Sequence, residues 1–248
     1  MKYGWIRDIP DRRDFYYSLQ PVAHPIRVDL TATGFCPPVY DQGSLGSCTA
    51  NAIAGAVDFI RKKQMEPFMT PSRLFIYYNE RKIENTTGYD AGAAIRDGIK
   101  VVVKDGVCPE AVWPYDIDKF TIEPSVEVYK KALDCQTLIY QRLDNTRLNM
   151  LQNVLASGYP FIFGFAVYES FESEEVAKNG AVPMPSDEER NLGGHAVLAV
   201  GYNDRVRRFI VRNSWGTDWG KGGYFSLPYD YVTNSDLVDD FWVIRKVE

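Results

Sequence analysis

The pattern of apolar residues changes once along this chain, near residue 157, and this change constrains the fold more than any other feature. Apolar residues at helical spacing predict helices at about 48–63, 70–81, 93–104 and 145–156. Short apolar or alternating runs bounded by Gly, Asn and Asp predict strands at 160–167, 196–202, 208–212, 224–227 and 241–247. Helices followed by antiparallel strands predict an α+β fold with two lobes.

The composition supports a packed core and argues against several classes of partner. Of the 248 residues, 45% are hydrophobic and 14% are aromatic, which suffices for one large domain or for two lobes that share a core. A net charge of −5 leaves no basic surface for nucleic acid. The longest apolar stretches are shorter than the roughly 20 residues of a membrane-spanning helix. We therefore expect neither nucleic acid nor a membrane among the partners.

The cysteines and histidines are too few and too scattered for a metal centre. The chain has four cysteines without a C-x-x-C pair, and only two histidines. We therefore predict no metal and no cofactor. Two disulfides are possible, but the spacing is not that of a dense secreted scaffold, so free thiols at Cys36, Cys108 and Cys135 are favoured. Because the first residues also lack the apolar core of a signal peptide, a cytoplasmic location is favoured.

Two segments stand apart from the predicted helices and strands. Residues 1–27 are polar and punctuated by proline, with an aromatic cluster at 15–17. We interpret them as an arm that docks on the body, with a frayed tail as the alternative. Residues 169–194 are rich in Glu and lead directly into His195. They predict a solvated loop, with an acidic rim to a cleft as the alternative.

Cys48 has the setting of a nucleophile. It lies where the Gly-rich loop Gln-Gly-Ser-Leu-Gly-Ser becomes a predicted helix. The free amides and the dipole at a helix start favour a thiolate. The glycines would also let a substrate backbone approach closely. The alternative is a buried cysteine at an ordinary helix start.

A base and an orienting group follow in the second half of the chain. His195 comes after two glycines and enters a predicted strand, and Asn213 leaves the next strand. The Asn side chain can hold the imidazole through a hydrogen bond, and Trp215 can cover that bond from water. Together with Cys48, these residues supply a nucleophile, a base and an orienting group.

These segments resemble the papain family of cysteine peptidases over about residues 28–248. The family's motifs are a Q-G-x-C-G-S-C-W loop, an H-A-V strand and N-S-W-G-x-x-W-G, which correspond to 42–49, 195–197 and 213–220. His195 and Asn213 follow Cys48 by 147 (195 − 48) and 165 (213 − 48) residues. The family spacing is roughly 130–150 residues. The acidic insertion at 169–194 can account for the added length.

The resemblance implies a papain-like fold with an active-site cleft between the lobes. The first lobe, about 28–135, would be helical, and the second, about 136–248, would be an antiparallel β-barrel-like lobe. The arm of residues 1–27 stands in place of the family's long helical propeptide. Four departures distinguish this chain from the family pattern: Leu45 replaces a disulfide cysteine, Thr49 an aromatic residue, Ala93 a glycine and Gly194 a polar residue.

The same resemblance implies a role for each matching position. The implied catalytic set is Cys48 as nucleophile, His195 as acid–base partner, Asn213 as orienting group and Gln42 as oxyanion-hole donor. The implied substrate-binding set is Gly46 and Gly194 beside the P1 residue, Gly92 and Ala93 on the extended backbone, Ala196 in the P2 pocket and Trp215 on the leaving-group side.

The implied reaction is hydrolysis of peptide bonds through a Cys48 thioester, with a peptide or protein as substrate. Endopeptidase action is the default, because no insertion that would block one end of the cleft is evident. Two alternatives use the same fold: a cysteine-dependent acyl transferase, such as a transpeptidase or a transglutaminase-like enzyme, and a non-catalytic peptide-binding module. The arm is a candidate intramolecular inhibitor, with Phe15, Tyr16 and Tyr17 in or beside the cleft.

Overall fold

The computed structural model describes residues 2–248, in which helices pack against a large sheet. The helices are α1 (Cys48–Lys63), α2 (Arg73–Ile83), α3 (Ile95–Lys104), α4 (Val126–Ala132), α5 (Leu148–Ala156), α6 (Glu174–Asn179) and α7 (Tyr229–Val232), with 3-10 turns at Leu30–Thr33, Ile117–Lys119 and Glu169–Glu172. The strands are β1 (Trp5–Ile6), β2 (Arg27–Asp29), β3 (Ala93–Ala94), β4 (Thr137–Arg142), β5 (Phe161–Tyr168), β6 (Asn191–Asn203), β7 (Arg208–Arg212), β8 (Tyr224–Pro228) and β9 (Val238–Val247).

Helix α1 is the central helix, and it has the bounds that its sequence predicts. The predicted apolar stripe, Ile53, Val57 and Ile60, is buried, and the helix packs on β6 and β9 of the sheet. Three cations in the last turn oppose the negative end of the helix dipole. The nucleophile candidate is thus fixed at the buried start of a helix that both lobes enclose.

The starts of α2 and α3 differ from the predicted ones. Helix α2 begins at Arg73 and not at the predicted residue 70, and it is capped by Ser72, whose Oγ accepts the Phe75 amide at 3.1 Å. Helix α3 begins at Ile95 because Ala93 and Ala94 form the short strand β3 instead. Strand β3 pairs in parallel with β1 of the arm.

The sheet of the second lobe is open and not barrel-like. Its antiparallel order is β4-β9-β5-β6-β7-β8, and β2 pairs with β6 beside this path. Within residues 2–248, β4 and β8 are not joined, so the predicted barrel-like closure is wrong while the α+β class is confirmed. Since β2 covers 27–29, the first residues of the predicted helical lobe belong to this sheet.

The arm is held to the body by a cluster of charges, most of which are buried. Its members, which we call the anchor cluster, are the arm residues Asp8 and Asp14 and the body residues Arg96, Arg142, Asp239 and Asp240. Arg96 Nη2 lies 2.6 Å from Asp14 Oδ2, and Arg142 Nη1 lies 3.2 Å from Asp8 Oδ2. The arm therefore lies along the body as far as the structure describes it; residue 1 lies outside the described residues.

The predicted aromatic cluster of the arm lies away from the cleft. Phe15 and Tyr16 are exposed, and Tyr16 bridges to Arg142 at the end of β4. Tyr17 is buried, with its hydroxyl donating to Asn153 Oδ1 at 2.9 Å. The prediction that these three side chains lie in or beside the cleft is therefore wrong.

All four cysteines are free thiols in this structure. Among the helices of residues 2–248, none combines the length and the apolar character that crossing a bilayer requires.

The packing of α3 on α1 and α2 depends on Gly98. A Cβ built at this residue would lie 2.1 Å from Glu80 Oε1 and 2.3 Å from Ile53 Cδ1. Replacing glycine by alanine within a helix stabilises the helix by about 1 kcal/mol, whereas overpacking a core destabilises the folded protein by about 1–3 kcal/mol. We expect Gly98→Ala to lower the free energy of unfolding, measured by urea denaturation. The matched control is Gly88→Ala, where a Cβ meets nothing within 4 Å. A Gly98→Ala protein as stable as the parent would contradict this packing.

Candidate active site

Cys48 is the first residue of α1, and buried side-chain hydrogen bonds fix the turn that presents it. Asn51 Nδ2 donates to Ser47 Oγ at 3.0 Å, and Ser47 Oγ lies 2.5 Å from the Tyr115 hydroxyl. Thr49 donates to Glu80 Oε2 at 2.8 Å. The residues on either side of Cys48 are therefore held by partners from elsewhere in the first lobe.

Gln42 is fully buried and joins the reactive loop to the second lobe. Its Oε1 accepts the Ser214 hydroxyl at 2.7 Å, and its backbone N–H donates to the Ser214 carbonyl at 2.8 Å. Because a hydroxyl donates to Oε1, the amide nitrogen Nε2 must point the other way. There it donates to the Leu45 carbonyl at 3.0 Å and to the Lys2 carbonyl at 3.2 Å. The predicted oxyanion-hole donor thus already binds a peptide oxygen.

The hydrogen bond between His195 and Asn213 defines the protonation of the imidazole. His195 Nε2 lies 2.8 Å from Asn213 Oδ1, and Oδ1 also accepts the backbone N–H of Ser214 at 2.9 Å. Since Oδ1 can only accept, Nε2 carries the proton and Nδ1 keeps its lone pair. Nδ1 is buried and has no hydrogen-bond partner within residues 2–248. The imidazole is thus prepared to accept a proton at Nδ1.

Aromatic rings enclose this imidazole. Trp215 stacks on it with ring centroids 5.0 Å apart and 27° between the planes, and Phe165 approaches at 5.7 Å. Trp219 in turn packs against the edge of Trp215 at 5.0 Å. The predicted role of Trp215 as a cover for the His195–Asn213 pair agrees with this stacking.

Burial keeps both reacting groups neutral in this state. It raises the pKa of the Cys48 thiol to about 11, although backbone N–H groups of Ala196, Gly4 and Thr49 near the sulfur oppose the shift. Burial also lowers the pKa of His195 to about 4, against the bond from Asn213. Since Nδ1 is unpartnered, thiol and imidazole are not hydrogen-bonded here. The catalytic residues are therefore in place, but the thiol and the imidazole are not ionised.

The burial comes from residues 2–6 of the arm, which we call the cleft segment. The Tyr3 ring lies 6.1 Å from His195 and 6.2 Å from Trp215, and its hydroxyl donates to Glu172. The Gly4 carbonyl accepts the Ala93 amide at 2.7 Å, which is the start of the β1–β3 pairing. The cleft segment thus covers both sides of Cys48.

The predicted substrate-binding residues lie around this segment. Gly46 and Gly92 approach Gly4 so closely that a Cβ on Gly4 would lie 1.8 Å from the Gly46 carbonyl oxygen. A Cβ on Gly92 would lie 2.3 Å from the Gly4 carbonyl oxygen. A Cβ on Gly194 would meet Trp5 at 2.6 Å. The close approach of the arm therefore requires glycine at positions 4, 92 and 194, whereas a Cβ on Gly46 would meet the Asp90 side chain at 3.1 Å.

Sequence reasoning missed three residues that shape the site. Ser214 orients Gln42, and its position inside the Asn-Ser-Trp motif was the available signal. Glu172, within the acidic insertion, reaches the cleft through Tyr3. Asp240 accepts the indole N–H of Trp5 at 3.0 Å from within β9, and no pattern in the sequence marks it.

Comparison with known proteins identifies the family of this chain. The family described as "Papain family cysteine protease" matches residues 24–240. An uncharacterized peptidase C1-like protein of Acanthamoeba polyphaga mimivirus is 50% identical over 271 residues, which cover 99% of this chain and 87% of that protein. The crystal structure of xylellain, a cysteine protease from Xylella fastidiosa, is 47% identical with a TM-score of 0.90, covering 99% of this chain and 96% of xylellain. Chymopapain from Carica papaya is 29% identical over 88% of this chain, which spans 58% of its length.

The reactivity of Cys48 directly tests whether its thiol is neutral and covered. With a pKa of about 11, we expect the Cys48 thiol of the intact chain to react with iodoacetamide at pH 7 at least about 10²-fold more slowly than glutathione, because the thiolate is the reacting species. The rate is measured by mass spectrometry, with Cys48→Ser identifying the modified residue. Alkylation of Cys48 as fast as that of glutathione would contradict the geometry described here.

Proposed function

This chain belongs to the papain family of cysteine proteases and is a cysteine peptidase; on that premise, we propose that it cleaves peptide chains internally, with Cys48, His195, Asn213 and Gln42 as its catalytic residues. The observation that carries this assignment is the buried imidazole whose Nε2 bonds to Asn213 while Nδ1 stays free. A base in that tautomer can take the proton of the Cys48 thiol once the cleft opens.

The proposed reaction is two acyl transfers. His195 Nδ1 removes the thiol proton, and the Cys48 sulfur bonds to the substrate carbonyl carbon. His195 then returns the proton to the leaving amine as the C–N bond breaks, which leaves a thioester on Cys48. In the second step His195 takes a proton from water, the hydroxide adds to the thioester, and the thiol and a carboxylic acid are released.

Gln42 supplies a donor for the oxygen that becomes negative in each step. Its amide is fixed by Ser214, and Nε2 already donates to the Lys2 carbonyl oxygen. A preorganised donor aimed at such an oxygen stabilises the charge that develops on it. The backbone N–H of Cys48 is the proposed second donor.

The arm is the proposed intramolecular inhibitor of this reaction. The cleft segment lies against Gln42, His195 and Trp215 and pairs with β3. The anchor cluster and the contacts of Tyr17 hold the rest of the arm to the body. Inhibition by residues 2–6 replaces the earlier expectation that Phe15, Tyr16 and Tyr17 act in the cleft.

Substitution of the catalytic residues gives a graded result. We expect Cys48→Ala to abolish cleavage of a mixed peptide pool, and Gln42→Ala to lower kcat/KM by about 10²–10³, since one oxyanion-hole donor contributes that much. Products are read by mass spectrometry, so that hydrolysis is distinguished from acyl transfer to an amine. The conservative control is Ser214→Ala, which leaves the Gln42 amide in place but unfixed and should cost less than Gln42→Ala. Hydrolysis by Cys48→Ala would refute the assignment.

Inhibition by the arm can be tested with a substitution in the arm that weakens its docking and leaves the sequence of the body unchanged. A Cβ on Gly4 would lie 1.8 Å from the Gly46 carbonyl oxygen, so we expect Gly4→Ala to weaken docking of the cleft segment. Overpacking costs about 1–3 kcal/mol, which corresponds to a roughly 5- to 150-fold rise in peptide turnover. Arg12→Ala, at an exposed arm residue, is the matched control. Equal turnover of both folded variants and the parent would rule out inhibition by residues 2–6.

A further inference from the structure

The indole of Trp5 fills a pocket of the body beside Cys48. Trp5 is buried, and it follows Gly4, whose backbone N–H lies near the Cys48 sulfur. Its backbone pairs with Ala93, one of the two residues predicted to bind the extended substrate. The side chain lies against one face of the paired strands β5 and β6, where it meets Gly164 and Gly194. The pocket is therefore one that a substrate side chain next to the reacting peptide bond can reach once the arm has left.

The walls of this pocket are shaped to a bicyclic ring. A Cβ at Gly164 would lie 2.0 Å from the Trp5 ring, and one at Gly194 would lie 2.6 Å from it. Both glycines lie in strands, where glycine weakens the structure and marks a close approach. Gly164 pairs with Ala196, the residue predicted to line the P2 pocket. The Trp5 pocket thus adjoins the position where the resemblance places the P2 pocket.

The floor of the pocket is a buried hydrogen-bond acceptor. Asp240 is fully buried, and its Oδ2 accepts the Trp5 indole N–H at 3.0 Å. Asp240 has a left-handed backbone (φ 59°), which aspartate tolerates better than most residues. It lies where the pairing of β5 and β9 shifts register between Ile162 and Gly164. A local distortion of β9 thus accompanies a carboxylate at the base of the pocket.

When the arm departs, Asp240 Oδ2 loses its hydrogen-bond donors, but the charges around it stay balanced. Both hydrogen bonds to Asp240 Oδ2 within residues 2–248 come from the arm, from the Trp5 indole and from the Asp8 amide at 2.8 Å. Oδ1 keeps its bond to Arg142 Nη2 at 3.0 Å. The body's share of the anchor cluster is then two arginines and two aspartates, so the floor has no net charge. It therefore favours a neutral N–H donor over a cation.

We propose that this pocket selects the side chain of the substrate and that Asp240 makes it prefer tryptophan over phenylalanine, leucine and arginine. The proposal rests on the peptidase function proposed above and names its substrate class. A site built to bond an N–H rejects an analogue that lacks it, because the buried acceptor is left unpaired. Phenylalanine and leucine fill the space but leave Oδ2 without a partner. The positive charge of arginine would be repelled by Arg142, which already pairs with Asp240.

The experiment uses the full chain with both Gly4→Ala, which weakens docking of the cleft segment, and Trp5→Ala, which removes the indole from the pocket. Peptides identical except at the second residue before the scissile bond present tryptophan, benzothienylalanine, phenylalanine, leucine or arginine. Benzothienylalanine has the shape of tryptophan without its N–H. We expect kcat/KM for tryptophan to exceed that for benzothienylalanine by at least about 10-fold, with arginine below tryptophan. Equal rates for the two bicyclic residues, or a preference for arginine, would overturn the proposal.

A binding measurement separates this proposal from the peptidase assignment. Indole and benzothiophene are titrated by calorimetry into the full chain with Trp5→Ala and Cys48→Ala, which requires no turnover. We expect indole to bind at least about 10-fold more tightly, and Asp240→Asn to reduce that difference. Equal affinities would overturn the selectivity even if peptides are cleaved. Tighter binding of indole together with no cleavage of any peptide would instead retain the pocket and contradict the peptidase function.

Discussion

The hydrogen bond between His195 Nε2 and Asn213 Oδ1 determines what the rest of this site can do. It holds the proton on one ring nitrogen and leaves the other as a base, and the stacked Trp215 keeps water from the bond. Ser214 extends the same arrangement to Gln42, because its amide donates to Asn213 while its hydroxyl donates to Gln42. One short segment after β7 therefore positions both the base and the oxyanion-hole donor relative to α1.

The resting state is a consequence of burial imposed by the arm. Neutral thiol and neutral imidazole are the stable forms where water is excluded, so covering the cleft both blocks substrate and removes the reactive ion pair. Holding the arm in place buries the carboxylates of the anchor cluster, which is electrostatically unfavourable. Burial raises the pKa of Asp8 and raises that of Asp240 to about 7, and the two arginines oppose these shifts. Losing Arg142 would leave the buried Asp240 carboxylate without an ion pair, which is strongly destabilising.

The sequence predicts those parts of the molecule that depend on local patterns. Helix α1 has its predicted bounds because a Gly-rich loop, an apolar stripe and terminal cations all agree. Strand β4 was missed because Leu138 and Ile139 are both exposed, so no alternation marks it. The four catalytic candidates, which were predicted from motifs far apart in the chain, lie together around one cleft. The cleft segment and Asp240 could not be predicted, since both depend on contacts between residues far apart in the chain, and Asp240 also on a left-handed backbone.

The most direct test of the account is to trap the thioester on Cys48. The full chain with Gly4→Ala is mixed with a peptide p-nitrophenyl ester, quenched in acid within milliseconds and analysed by mass spectrometry. The account predicts a mass increase equal to the acyl group, located on the fragment that contains Cys48 and absent when His195 is replaced by Ala. Hydrolysis of the ester with no adduct, or with an adduct on another residue, would contradict it.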